Sequence, residues 1–191
     1  MVDRWPLVYL RSKDLLLRWM ETAAFSDAVY RTHPGNLPSK SWQYNSDNAT
    51  LAAFGAWASV HKALWPYRKT LVQEAATTGA PVVRHPWLEY PGGGDAQVVV
   101  GLVDQFMVGS AVMVAPVLQA GQAGESVRMY LPQGSGSWTH VWSGAKLLAP
   151  GWVTLATPMG QPAVVVRTAS PWAPALLRDI CAAAAPGSCT V

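Results

Sequence analysis

The sequence predicts a mixed fold, an α/β half followed by an all-β half. Up to about residue 108, apolar residues recur at helical spacing and alternate with short β-branched runs. Beyond Gly121 the chain breaks into short strand-like runs bounded by Gly, Pro and Ser. Half of the 191 residues are hydrophobic and only 13% are charged, so a sizeable core is available and disorder is excluded.

The elements follow in order. Leu15, Leu16, Trp19, Met20 and Ala23 share one helical face, predicting a helix over 12–24 with Ser12 as N-cap and Asp14 favourable in its first turn. Ala28 to Arg31 reads as a short strand, and Pro34 and Gly35 then force a loop to about Ser46. A second helix starts near Ser46 or Asp47, with Leu51, Phe54, Ala58, His61 or Lys62, and Trp65 on its buried face. Pro66 must kink or restart that helix, because a proline there removes a hydrogen bond and clashes one turn back. Gly79 is a suitable C-terminal cap, and Pro81 to His85 is the next strand. This β-α-β order favours a parallel sheet with helices outside.

Val98 to Val108 reads as a short helical or mixed segment, followed by the apolar run Ala111 to Val117. Strands are expected at 127–131, 138–142, 152–156 and 163–167, in the spacing of an antiparallel sandwich. A helix over 172–184 has Pro174 in its first turn. The division falls at 108/109, giving units 1–108 and 109–191.

Composition narrows the function classes. A net charge of +3 with scattered Lys and Arg argues against nucleic-acid binding. No run approaches the roughly 18–20 apolar residues of a membrane helix. No signal peptide is visible at the N-terminus, and the cytoplasm is the expected location. His33, His61, His85 and His140 lie far apart, so no metal site is expected. Cys181 and Cys189 are expected as free thiols, with one short closed loop as the alternative. Asn48-Ala49-Thr50 fits the glycosylation pattern by chance.

Several ordered segments carry a resemblance. Arg11 to Glu21, Ala24-Phe25, Tyr30-Arg31-Thr32-His33, Leu64-Trp65-Pro66-Tyr67, Gly79 to Pro86, Val112 to Val117, Tyr130-Leu131-Pro132, and Trp138, Trp142 and Gly144 follow one another. Together they resemble the C-terminal portion of glycoside hydrolase family 31 over about Leu10 to Arg167. Arg11-Ser12-Lys13, Thr32-His33-Pro34-Gly35-Asn36 and Trp138 to Gly144 are most similar to the bacterial sulfoquinovosidase branch.

The resemblance implies the last part of a (β/α)8 TIM barrel followed by a small antiparallel β-sandwich. It also implies a retaining α-glycosidase, whose two carboxylates must stand roughly 5 Å apart. In the family both precede the segment that begins at Arg11, so no catalytic residue is expected in this chain and the chain alone should be inactive. No cofactor is implied, since two carboxylates and water suffice.

The resemblance makes His33 a substrate contact, its imidazole able to donate and accept hydrogen bonds with sugar hydroxyls. Pro34 stands where the sulfoquinovosidase branch carries Glu, which removes a carboxylate beside the ring. Arg31 and Trp42 complete the substrate-binding set. Arg31 has a structural alternative in pairing with Asp27 or Glu21, and Trp42 stands between a sugar-stacking platform and a loop residue. Phe25, Arg84, His85 and His61 are expected to be structural, as are Trp138, Trp142 and Trp152 in the sandwich core.

The leading expectation is therefore a C-terminal fragment of a retaining α-glycosidase acting on an α-glycoside. The alternatives are a non-catalytic carbohydrate- or partner-binding β-sandwich, and half of a split glycosidase completed in trans by a complementing N-terminal barrel part.

Overall fold

The computed structural model describes residues 11–26, 40–120 and 125–190. Three helices come first: α1 (Lys13–Phe25), α2 (Asn48–Ala63) and α3 (Trp65–Thr78). Short elements follow as β1 (Val83–Arg84), α4 (Pro86–Glu89) and α5 (Ala96–Val100). Then come β2 (Phe106–Val108), β3 (Val112–Ala115), β4 (Ser126–Leu131), β5 (Ser137–His140), β6 (Lys146–Leu148), β7 (Gly151–Ala156), β8 (Ala163–Arg167) and α6 (Ala173–Ala183).

Six strands form one sheet in the order β1-β2-β3-β8-β5-β6, and β4 pairs with β7 in a separate ribbon. Every pairing among the described strands is antiparallel. The strand expected at 81–85 is present as β1, which pairs antiparallel with β2 through Val83↔Val108 and Arg84↔Met107; the parallel pairing expected for it was with the strand at 28–31. The strand expected at 28–31 lies outside the described residues. The expected division at 108/109 falls in the turn between β2 and β3, which pair over three positions.

Strand alternation sorts the sheet's side chains onto two faces. Val108, Val112, Val114, Val164 and Val166 face the helices, where Leu16, Met20, Val60, Leu64 and Leu176 cover them. Met107, Met113, Ala115, Ala163 and Val165 face the β4–β7 ribbon and meet Met129, Leu131 and Leu155. The continuous apolar runs 111–115 and 163–166 thus reflect burial on both faces, as in the centre of a layered fold.

Local chemistry explains the helix ends. The Ser12 side chain accepts from the Leu15 N–H, and Asp47 accepts from the Thr50 N–H. Pro66 restarts rather than kinks the second helix: α2 ends at Ala63, and Pro66 sits in the first turn of α3, where its missing N–H does no harm. Gly79 closes α3 in the left-handed region at φ 77°.

The buried face of α2 differs from the expected one. Thr50, Trp57 and Val60 are buried, while Leu51 and Trp65 are exposed at 47% and 62%. The alanine-rich sequence lets several faces approach a neighbour, and Trp57 settles the choice by lodging between Phe25 and Trp142 in edge contacts. Strand β6 was not expected: it is three residues long, and its two outer residues are exposed. Trp138 and Trp142 are core residues as expected. Trp152 is not: its ring is 49% exposed, with the Arg128 guanidinium 4.6 Å from its centroid and the Tyr130 ring edge-on at 5.2 Å.

Cys181 and Cys189 form a disulfide, which corrects the expected free thiols. Helix α6 ends at Ala183, the chain turns through Gly187 at φ 81°, and the Thr190 N–H donates to the Trp142 carbonyl. That return brings Cys189 to within 5.8 Å of Cys181 between Cα atoms, inside the range a disulfide spans.

The β2–β3 turn is locked from below by α3. The Tyr67 hydroxyl donates to the Val108 carbonyl and accepts from the Ala111 N–H, each at 3.0 Å. Burial pushes this phenol up to about 12. Between them Gly109 adopts φ 54°, and an added Cβ would lie 2.4 Å from the Tyr67 hydroxyl oxygen and Leu71 Cδ2. Tyr67→Phe leaves a buried donor and acceptor unmatched, so denaturant unfolding should register a loss of about 1–3 kcal/mol. Gly109→Ala adds left-handed strain of roughly 1–2 kcal/mol and a clash with the buried Tyr67 hydroxyl and Leu71 methyls, and should lose more than Tyr67→Phe. Wild-type stability in either variant contradicts this reading of the turn.

Candidate functional site

Arg31 and His33 lie outside the described residues, within 27–39. The residues flanking that segment are held at both ends, 24–26 by Arg68 and His61 and 42–43 by Arg11.

The first end is the C-terminus of α1. A helix leaves its last carbonyls without intrahelical partners, and α1 carries no basic residue in its final turn. The caps come from elsewhere. Arg68, in the first turn of α3, donates from Nη2 to the Ala24 carbonyl at 2.9 Å and from Nη1 to the Ser26 carbonyl. His61 of α2 donates from Nδ1 to the same Ala24 oxygen at 3.1 Å. Burial, and after it the neighbouring Arg68 charge, hold the imidazole below its ordinary titration range, so it serves as a neutral donor.

The second end is the stretch 40–50. The Trp42 N–H donates to the Arg11 carbonyl at 2.8 Å, and Arg11 Nε returns a bond of 2.8 Å to the Trp42 carbonyl. Arg11 Nη2 also reaches Gln43 Oε1 at 2.8 Å. The indole N–H of Trp42 donates to the buried Thr50 hydroxyl at 2.9 Å, and the Lys13 ammonium lies 5.4 Å from the ring centroid. Lys13 also pairs with Asp47 at 2.6 Å. That bond, with those from Thr50, lowers the Asp47 carboxyl to about 2 and keeps the α2 cap charged. Of the three expected substrate contacts, Trp42 is thus described as a half-buried residue tied to the starts of α1 and α2.

Between its ends, α1 is joined to the sandwich. Glu21, 1% exposed, accepts from Arg18 Nη1 at 3.0 Å and from the Gly160 N–H at 2.7 Å. Arg18 Nη2 donates to the Thr157 carbonyl at 2.8 Å. Burial is the dominant influence on Glu21 and raises its carboxyl above the ordinary value.

The remaining polar residues are structural, as expected. Arg84 pairs with Glu89 at 2.6 Å and Glu74 at 3.2 Å. His85 accepts the Trp87 N–H at Nδ1, capping α4, and donates from Nε2 to the Leu102 carbonyl. Phe25 is fully buried. Among the described residues no three His, Cys, Asp or Glu side chains are grouped to hold a metal. Nor is any helix there long and apolar enough to cross a membrane. Sequence reasoning missed Arg68 and Arg11, and it offered Glu21 only as a partner of Arg31 without foreseeing its bonds to Arg18 and Gly160. The signal for Arg68 was a cation in the first turn of a helix, where the dipole disfavours it unless a carbonyl cluster lies opposite.

These features define a class: an antiparallel β-sandwich backed by helices, with α1 clamped at both ends and joined to the sandwich in between. Residues 79–170 match the glycosyl hydrolase family 31 C-terminal domain. The chain is 40% identical over 161 residues to a sulfoquinovosidase of Agrobacterium fabrum, covering 84% of this chain and 23% of that protein. It is 39% identical over 163 residues to the sulfoquinovosidase of Escherichia coli, covering 85% and 23%. A solved structure of a family 31 sulfoquinovosidase from E. rectale, in complex with an aza-sugar inhibitor, superposes with a TM-score of 0.80 at 31% identity, over 94% of this chain and 25% of that one. The chain belongs to glycoside hydrolase family 31 as a C-terminal portion, and spans about a quarter of the length of these relatives.

The electrostatics yield a pH dependence. His61 and His140 are both depressed by burial, so the unfolded chain binds protons near pH 6.5 that the folded chain refuses. Stability should therefore fall as pH drops below about 6.5. Glu21 works in the opposite sense, its raised carboxyl losing stability as pH rises from 4.5 through its folded value. Chemical denaturation as a function of pH should show a shallower loss below pH 6.5 in His61→Gln. A slope equal to wild type contradicts the assignment of His61 as a neutral cap.

Proposed function

We propose that the chain supplies a substrate-contacting segment and the supporting β-sandwich of a retaining α-glycosidase. The observation that carries this reading is sequence identity of about 40% to two sulfoquinovosidases over more than four-fifths of the chain. Residues of the helical half form the end of a (β/α)8 barrel in this reading, with His33 and Arg31 at the sugar. Trp42 flanks it, its ring held by the Thr50 bond and the Lys13 cation.

Retention requires a nucleophile and an acid/base about 5–5.5 Å apart. The partners of Glu21, Asp47, Glu74 and Glu89 favour structural duty for these acids: one joins α1 to the sandwich, one caps α2 and two neutralise Arg84. In this reading both reacting carboxylates come from a barrel part outside these residues, and water completes the hydrolysis without metal or organic cofactor. His33 donates to or accepts from hydroxyls of the bound sugar, contacts that tighten as the ring flattens toward an oxocarbenium ion.

Turnover of nitrophenyl α-sulfoquinovoside and α-glucoside, by residues 1–191 and by the protein translated from the native transcript, tests the reading. Residues 1–191 should release no nitrophenol. Turnover by them that a single Asp or Glu substitution abolishes would overturn the external placement of the carboxylates. In an active longer protein, His33→Ala should raise the barrier by roughly 2–4 kcal/mol. An unchanged rate would remove His33 from the site.

A further inference from the structure

We propose that Arg68 is a positioning residue, fixing the direction in which the chain leaves α1 toward Arg31 and His33; its consequence for turnover rests on the glycosidase reading above. Arg68 is 5% exposed and sits in the first turn of α3, where the helix dipole is unfavourable for a cation. Its two terminal nitrogens bridge the Ala24 and Ser26 carbonyls, two residues apart at the end of α1. A planar guanidinium presents its donors in a fixed fork, so bridging two carbonyls sets the orientation of both peptide planes. An ammonium on a flexible stem sets neither.

The location decides what that orientation controls. Ser26 is the last residue of α1's cap, and its peptide begins the chain that reaches Arg31 five residues on and His33 seven residues on. His61 reinforces the Ala24 carbonyl. Of the bonds described at this cap, the one that passes the helix end and grips the departing chain is from Arg68 Nη1 to the Ser26 carbonyl. A misplacement of about 1 Å in a substrate contact is enough to lower turnover about a hundredfold. Arg68 therefore acts on the sugar through backbone geometry without touching it.

Two measurements test this. On residues 1–191, amide hydrogen exchange should accelerate at least about tenfold across residues 26–33 in Arg68→Met, with β3 and β8 unchanged. Arg68→Lys should fall between. Exchange equal to wild type across 26–33, or acceleration spread evenly through β3 and β8, overturns the proposal. In the longer protein, once wild-type turnover of an α-glycoside is established, Arg68→Ala should lower kcat/KM by about ten- to a hundredfold, with partial rescue by added guanidinium. A loss that guanidinium leaves untouched, or no loss, overturns the positioning role. If the wild-type protein cleaves no α-glycoside, the glycosidase reading fails, and the exchange experiment alone decides the role of Arg68.

Discussion

The rest of the structure depends on the burial of both faces of the β3–β8 pair. Residues 111–115 and 163–166 are almost entirely removed from water, so each face must be covered by its own layer. Valines point to the helices, while methionines and alanines with Val165 point to the ribbon. The first face needs a broad, flat partner, which helices provide. The second takes the narrower β4–β7 ribbon, whose Met129, Leu131 and Leu155 interlock with flexible methionines. Gln105 extends this coupling, its side-chain amide exchanging two bonds with the Tyr130 backbone as another strand would.

Hydrophobic packing of this kind fixes which layers meet but is tolerant about sliding, and the polar joints remove that freedom. Helix α1 has three: Arg11 with Trp42 at its start, Arg18 and Glu21 with the 157–160 turn along its length, and Arg68 and His61 at its end. Each uses a directional bond to backbone, which a shift of one residue would break. The Glu21 carboxyl is raised by burial, the mark of a charge kept in a place that disfavours it. Such a pair adds little net stability, and its return is register.

Much of this was legible in the sequence wherever one local rule decided the outcome. Ser12, Asp47, Pro66 and Gly79 set their helix ends through capping and proline chemistry, and four sandwich strands followed from spacing. The face of α2 was not legible, because an alanine-rich helix has no dominant apolar stripe and Trp57 chose its neighbours only in three dimensions. The antiparallel pairing of β1 was hidden because its partner β2 lies after two short helices that interrupt the strand pattern. The disulfide was hidden for a similar reason: where α6 stops, and how Gly187 turns the chain, decide whether Cys189 meets Cys181. The candidate site was legible only as residue types. Arg68 and Arg11 act on backbone carbonyls far away in sequence, and a carbonyl leaves no trace in a pattern of side chains.

The contrast between the two halves of the chain follows from the same physics. The sandwich interior is apolar, with its strands paired and two buried indoles bonded, Trp138 to Ser135 and Trp142 to the Pro162 carbonyl. The helical half instead concentrates arginines at places where the chain enters or leaves a helix. Arginine is suited to this because it grips two acceptors at once and keeps its charge at every accessible pH. Clamping residues 24–26 and 42–43 to helices that already rest on a doubly buried sheet carries the rigidity of the core to both flanks of residues 27–39.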